Sequence, residues 1–105
     1  DISAPVVGIS SGTTVGFRYL QFGNNAPKAV RVVLGSHKKL KVNIRIDSYN
    51  GRIAASMDFN ENQKELETAL DFGIVGRHAV YFEFLSDEEG EIAEFDRFSF
   101  VSEDE

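Results

Sequence analysis

LKVNIRIDSYNGRIAASMDF, residues 40–59, decides the fold, because its apolar residues alternate with polar ones on both sides of an Asn-Gly pair. A period of two predicts strands that have one dry face and one wet face. The dipeptide Asn50-Gly51 tolerates the positive φ values of a two-residue hairpin turn. We therefore predict a β-hairpin whose facing pairs are Ile46 with Ala55, Ile44 with Met57, and Val42 with Phe59.

The same period recurs along the rest of the chain, between turns rich in Gly, Asn and Ser. A slip of phase at Tyr19 predicts a bulge or bend in one strand. In the last strand, Phe98 and Phe100 are predicted to face the core and Phe95 the opposite side. The strands predicted outside the hairpin are residues 6–9, 13–22, 29–34, 65–72, 77–85 and 92–101.

Residues 65–72 also fit a short helix, through Leu66, Ala69 and Leu70. A strand is preferred because every other segment is a strand and Phe72-Gly73 ends this one abruptly. Seven or eight strands at spacings of about 8–12 residues predict an all-β, antiparallel sandwich. Periodicity alone does not distinguish a jelly roll from an immunoglobulin-like sandwich.

Composition limits the functions open to this chain. Its 105 residues suit one domain, and 42% hydrophobic content indicates a globular fold. The absence of cysteine excludes disulfides and thiolate zinc sites. A net charge of −6 without a basic stripe argues against nucleic acid as a partner. No apolar run approaches the ~20 residues that span a bilayer, so no membrane partner is expected.

Catalytic constellations are not recognisable in the sequence. Acidic residues fall in turns or on wet strand faces, and no serine lies near a histidine in a recognisable arrangement. His37 lies in a polar turn, and His78 opens a strand, where packing or capping is the expected role. Most Phe residues fall on the inward phase, which leaves Tyr49 and Tyr19 as candidate ligand-binding aromatics. We expect no enzymatic activity from this chain alone.

Three stretches, taken together and in order, resemble the family 6 carbohydrate-binding modules. The likeness is greatest to the sandwich appended C-terminally to many family 43 glycoside hydrolases. The resemblance implies a galactose-binding-like jelly roll without catalysis and a ligand of the xylan or arabinan type. The stretches are SSGTTVGFRYLQFG (10–23), IRIDSYNGRIAA (44–55) and VGRHAVYFEF (75–84) with EFDRFSF (94–100).

The resemblance also implies site residues. In the family's loop cleft, a tyrosine, a tryptophan and an asparagine correspond to Ile9, Gln63 and Glu94, so that Gln63 and Glu94 are the candidates there. The family's second site lies on a sheet face, where Tyr49, Arg45 and Asn43 are the candidates. A structural calcium ion is implied at Asp96. Its partner carboxylates belong to an N-terminal strand that this chain lacks or that begins before Asp1.

Two hypotheses follow from the sequence. In the first, residues 1–105 form one accessory sandwich of a longer, secreted or cell-associated glycosidase. Its partners are then a polysaccharide or oligosaccharide and a catalytic domain in cis. In the second, the same domain packs against the catalytic domain without touching glycan. Exposed Tyr49 favours the first hypothesis, and the missing aromatic pair of the loop cleft favours the second.

Overall fold

The computed structural model describes residues 4–102, which form eight β-strands and no helix. Antiparallel pairing joins the strands into two four-stranded sheets. Sheet A has the order β1-β8-β3-β6, and sheet B has the order β2-β7-β4-β5. The strands are β1 (Val6–Ser10), β2 (Thr14–Gln21), β3 (Ala29–His37), β4 (Leu40–Ile46), β5 (Ile53–Phe59), β6 (Glu65–Ala69), β7 (Arg77–Leu85) and β8 (Glu91–Val101).

The predicted all-β, antiparallel sandwich is confirmed, and its connectivity is that of a jelly roll. The chain changes sheet at every connection except the β4–β5 hairpin, so each sheet combines strands that are distant in sequence. No helix among residues 4–102 is long and apolar enough to cross a membrane.

Phenylalanine rings fill the space between the two sheets. Phe82 and Phe84 of β7 and Phe95 of β8 are fully buried, and Phe98 is 4% exposed. The Phe82 ring lies 5.0 Å from the Phe95 ring and 4.8 Å from the Phe98 ring, centroid to centroid. Tilted rings at these distances add attraction beyond the burial of their apolar area. The core therefore fixes β7 and β8 face to face.

The predicted hairpin is present, but its predicted register is wrong by two residues. Val42 faces Met57 rather than Phe59, and Ile44 faces Ala55 rather than Met57. The turn at Ser48 to Gly51, closed by a bond from the Gly51 N–H to the Ser48 carbonyl, sits inside a six-residue connection. Because a shift of two keeps every side chain on its own face, the apolar pattern could not detect the error.

Two bulges shape the sheets. The register of β2 on β7 shifts between Phe17 and Leu20, which confirms the predicted bulge near Tyr19. In β8, Arg97 pairs with Val33 and Phe95 pairs with Leu34, so that Asp96 is the extra residue. The prediction that Phe95 faces away from the core is wrong, because this bulge returns it to the core face.

The ambiguous segment is a strand, as preferred from the sequence, although it ends at Ala69 rather than at Phe72. The chain leaves the sheet there because the next two N–H groups bond outside it. The Leu70 N–H donates to the Lys28 carbonyl, and the Asp71 N–H donates to the Ala54 carbonyl. Ala54 is the bulged residue of β5, so its carbonyl is free for this bond.

Candidate functional site

Polar side chains form a connected row across the middle of the outer face of sheet B. Asn43 and Arg45 alternate with the buried core residues of β4, and Glu83 does the same on β7. Glu83 Oε1 accepts bonds from Asn43 Nδ2 at 3.2 Å and from Arg45 Nε and Nη2 at 3.2 and 3.1 Å. Ser56 of β5 donates its hydroxyl to Asn43 Oδ1. The row therefore holds its members in fixed orientations.

This row is shielded from water to an unusual degree for an outer sheet face. Asn43 is 7% exposed and is the one polar residue that is buried among residues 4–102. The side chains of Arg45 and Glu83 are each 21% exposed. A charged pair this shielded is stable only when its hydrogen bonds are satisfied, as they are here.

An aromatic ring lies beside the polar row. Tyr81 of β7 pairs with Gly16 of β2 and with Arg45 of β4. A Cβ atom on Gly16 would lie 2.7 Å from the Tyr81 ring, so the ring occupies the space that a side chain would need. Tyr81, as a hydrogen-bond acceptor, raises the pKa of Arg18 on the edge strand β2. Glycine at position 16 thus allows a tyrosine ring to lie close to the sheet.

Tyr49 lies at the hairpin end of sheet B. It is 69% exposed, at the tip between β4 and β5. Arg45 links the tip to the polar row, because its Nη1 donates to the Gly51 carbonyl at 2.9 Å while its other nitrogens bond Glu83. The fold therefore brings Arg45 and Asn43 together, and Tyr49 lies in the connection that follows their strand.

A groove of about 810 Å³ continues this face toward the opposite end of the strands. Lys41, Asp58 and Leu85 line it on the sheet, and Ser86, Asp87 and Glu88 line it from the β7–β8 turn. The groove carries both signs of charge, and it is open to solvent along its length.

Gln63 lies away from this face, in the connection between β5 and β6. Its side-chain carbonyl accepts the Asn60 N–H at 2.9 Å, so the side chain closes its own turn. Its backbone carbonyl accepts a hydrogen bond from Nε2 of His37, while Nδ1 of His37 faces the Lys38 carbonyl at 2.7 Å. His37 thus joins the β3–β4 turn to the Gln63 loop, as a packing and capping histidine does.

Glu94 and Asp96 lie together on sheet A. A Cβ on Gly35 would meet Glu94 Oε1 at 2.8 Å and Asp96 Oδ1 at 3.1 Å, so both carboxylates lean over this glycine. Asp96 Oδ1 is buried and has no hydrogen-bond partner among the described residues. An orphaned carboxylate oxygen over a glycine cradle has the chemistry of a ligand for a hard cation.

The donors for such a cation are incomplete within residues 4–102, where no group of three or more His, Cys, Asp or Glu side chains could hold a metal ion. Calcium takes six to eight oxygen ligands. Asp96 and Glu94 would supply two carboxylates, and the N-terminal partners implied by the resemblance lie outside the described residues.

A second cluster occupies the hairpin end of the sandwich. Asp47 Oδ1 accepts a hydrogen bond from Nδ1 of His78 at 2.8 Å, and Nε2 of His78 faces the Val75 carbonyl at 2.9 Å. The hydrogen bond to Asp47 raises the pKa of His78 above its ordinary value, against a smaller lowering by burial. Asp47 has a positive φ of 73°, a conformation that aspartate tolerates better than most residues.

Comparison with known proteins places this fold among carbohydrate-binding modules. Neither a protein-family model nor a curated protein sequence matches the chain. Ten solved chains do match in structure. One is a family 43 arabinoxylan arabinofuranohydrolase from Bacillus subtilis in complex with cellotetraose, with a TM-score of 0.83 and 23% identity. The match covers 93% of this chain and 21% of that one, so this chain spans about a fifth of the enzyme's length.

Isolated modules match over most of their own length. A family 6 carbohydrate-binding module from Clostridium cellulolyticum, in complex with xylose, matches with a TM-score of 0.79 and 17% identity, over 93% of this chain and 78% of that one. CsCBM6-3 from Clostridium stercorarium, in complex with cellobiose, matches with a TM-score of 0.76 and 14% identity, over 93% and 73%. The chain therefore has the fold of family 6 carbohydrate-binding modules, as the resemblance implied.

Sequence reasoning did not find Glu83 and Tyr81, which complete the row and the aromatic surface. The alternation in residues 77–85 places both on the outer phase of β7. The pattern could not predict which strand lies next to β7. Its partner β4 is about forty residues away in the chain. Gly16, next to Tyr81 across the strands, gave the one local signal of a close approach.

Proposed function

We propose that the chain is a noncatalytic carbohydrate-binding domain that holds a xylan- or arabinan-type polysaccharide on the outer face of sheet B. The observation that carries this proposal is the shielded row of Asn43, Arg45 and Glu83 beside the Tyr81 ring. Sugars are recognised by oriented polar groups next to an aromatic surface, because a pyranose has hydroxyls on its edge and an apolar face. The sugar-bound modules of the same fold support this assignment.

In this proposal each residue has a distinct role. Tyr81 and Tyr49 offer their rings to sugar faces, and Arg45 offers its remaining N–H donors to hydroxyls. Buried Asn43 orders the row through its bonds to Glu83 and Ser56. Glu83 is a positioning residue, since, from the neighbouring strand β7, it accepts hydrogen bonds from both side chains. The groove that ends at Lys41 and Asp58 gives a chain of several sugars a path along the strands.

Affinity electrophoresis in gels that contain arabinoxylan, arabinan or β-glucan tests the proposal. Removing one ring, in Tyr81→Ala or Tyr49→Ala, is expected to weaken binding about five- to tenfold, which is the effect of one aromatic contact. Tyr19→Ala is the matched control, because Tyr19, the other exposed candidate, is 55% exposed on edge strand β2 and its ring is covered by the Arg77 guanidinium at 4.8 Å. Equal loss in all three variants, with native circular dichroism, would contradict the assignment.

A second candidate is a structural domain that packs on a catalytic glycosidase domain in cis. Its support is the loop cleft, where Ile9 and Gln63 have no aromatic ring to offer a sugar. Ile9 is also 1% exposed, and the Gln63 side chain closes its own turn. The match to about a fifth of a family 43 enzyme is also compatible with it. If no polysaccharide in the gel retards the protein, the structural role is the candidate that remains. Either role is compatible with a secreted or cell-associated parent glycosidase.

We also propose a structural calcium ion held by Asp96 and Glu94, together with ligands outside the described residues. The orphaned Asp96 oxygen supports it. Calcium is then expected to raise the melting temperature relative to excess chelator, because a ligand bound only to the folded state stabilises it. In Asp96→Asn that difference should disappear, whereas Asp58→Asn, on the other sheet, should keep it. An equal melting temperature with calcium and with chelator in the wild-type protein would rule the ion out.

A further inference from the structure

A small pocket at the hairpin end has features that the sheet face does not explain. It has a volume of about 170 Å³ and lies between the β4–β5 connection and the β6–β7 loop. This volume is below the roughly 300 Å³ at which pockets begin to enclose drug-sized molecules, so one ring is the size of ligand that it suits. It is lined by Ile46, Asp47, Arg52, Phe72, Gly73, Ile74 and His78.

Apolar side chains form one part of the pocket wall. Ile46 is 7% exposed and Ile74 is 2% exposed, and both belong to the buried core. Phe72 is half-buried and packs against that core. A pocket whose wall is anchored in this way is preformed, which lowers the cost of ordering on binding. Such a wall suits the C–H face of a sugar ring.

Arg52 is an exposed arginine that lines this pocket and forms no ion pair within residues 4–102. Its guanidinium carbon lies 3.9 Å from the centroid of the Phe72 ring, which holds the guanidinium in a stacked position. Within residues 4–102, no carboxylate or carbonyl accepts a hydrogen bond from the Arg52 side chain. The donors of an arginine fork match the two oxygens of a carboxylate.

The carboxylate of this pocket is hydrogen-bonded to a partner other than Arg52. Asp47 is paired with His78, and both nitrogens of His78 face oxygen acceptors, an arrangement that suits the doubly protonated ring. The nearest further acid in sequence, Asp71, forms no ion pair within the described chain. Arg52 therefore has a stacked, oriented set of donors that no group of the described chain occupies.

We infer that this pocket binds the carboxylate-bearing ring of an acidic sugar, a uronic acid, with Arg52 as the bidentate donor and the apolar part of the pocket lining against the ring. This inference rests on the proposed carbohydrate-binding function for the class of ligand, but it uses a different part of the surface. An acidic branch would then be bound at the hairpin end while the neutral main chain lies on sheet B.

Amide chemical-shift titration with sodium glucuronate, glucose and sodium acetate tests the inference. We expect glucuronate to shift the amide resonances of Gly73 and Ile74. Glucose lacks the carboxylate and acetate lacks the sugar ring, so each should bind at least about tenfold more weakly than glucuronate. Binding of acetate as tight as that of glucuronate would show a simple carboxylate site and would overturn the sugar assignment. Equal binding of glucose would overturn the role of the charge.

Variants separate this site from the sheet face. Arg52→Gln should weaken glucuronate binding about tenfold or more, and Arg52→Lys should recover part of it, since the charge returns without the fork. Arg77→Gln is the matched control, because Arg77 is also stacked on a ring, 4.8 Å from the Tyr19 centroid. Neutral xylan binding by Arg52→Gln should be unchanged. If Arg52→Gln binds glucuronate as the wild-type protein does, the inference is overturned, even if neutral glycans bind. If the wild-type protein binds glucuronate but no neutral glycan, only the sheet-face proposal is overturned.

Discussion

Glu83 is the residue on which the order of the polar row depends. Its Oε1 accepts bonds from both Arg45 and Asn43. In Glu83→Ala these donors lose their acceptor in a shielded place, so we expect the free energy of unfolding to fall by about 2 kcal/mol. Urea denaturation measures this change.

The control for Glu83 is an ion pair on the outer face of sheet A. Glu67 lies 2.7 Å from Arg31, but the two side chains are 40% and 42% exposed. Glu67→Ala should therefore cost about 0.5 kcal/mol or less. If Glu83→Ala lowers the free energy of unfolding by as little as Glu67→Ala does, the polar row is solvated and its hydrogen bonds do not order it.

His78 makes stability depend on pH. Its hydrogen bond to Asp47 raises the pKa of His78 in the folded protein above the unfolded value. The stabilisation is therefore fully present below the unfolded pKa, and it is lost as the pH rises through the folded pKa. We expect the melting temperature to fall across that interval by more in the wild-type protein than in Asp47→Asn.

Nuclear magnetic resonance titration of the His78 imidazole gives the direct readout. The His78 ring should titrate at a higher pH in the wild-type protein than in Asp47→Asn. An unchanged His78 titration in Asp47→Asn would show that the 2.8 Å contact does not persist in solution.

At the scale of elements, the hairpin shows what alternation can and cannot predict. Alternating residues identified β4 and β5 and their inward faces correctly. The register depended on a two-residue turn at Asn50-Gly51, and the actual connection of six residues contains a turn from Ser48 to Gly51. Positive φ occurs at Asp47 instead, a conformation that no local pattern marked. At the bulge of β5, the Ala54 carbonyl accepts a hydrogen bond from the Asp71 N–H, which lies beyond β6. The sequence pattern did not predict that these two segments meet.

Gly51, the glycine of this connection, should not tolerate a side chain. A Cβ at position 51 would collide with the carbonyl oxygen of Ile46, so Gly51→Ala must open the hairpin tip. We expect a loss of about 2 kcal/mol or more in the free energy of unfolding, measured in urea.

Gly73→Ala is the matched control for Gly51→Ala. The nearest atom to its added methyl is Ala26 Cβ at 3.6 Å, an ordinary contact, so the expected change is within about 0.5 kcal/mol. Equal effects of the two substitutions would contradict the tight tip that the structure describes.

At the scale of the whole molecule, the sandwich class followed from the sequence because eight alternating segments leave few other ways to bury nine Phe residues. The pairing of strands did not follow. Arg45 and Asn43 were found through a resemblance, but their contact with Glu83 exists only because a jelly roll places β7 between β2 and β4. The candidate face therefore depends on the order of the strands in the sheet, which brings together residues about forty positions apart in the sequence.

Chemical-shift mapping with a xylan oligosaccharide tests the central claim, that the outer face of sheet B binds polysaccharide. We predict that the perturbed amides cluster on β7 and β4, around Glu83, Tyr81 and Arg45, and extend to Tyr49 at the tip. Perturbations confined to sheet A or to the Gln63 loop would contradict this account, and so would a spectrum that does not change at millimolar oligosaccharide.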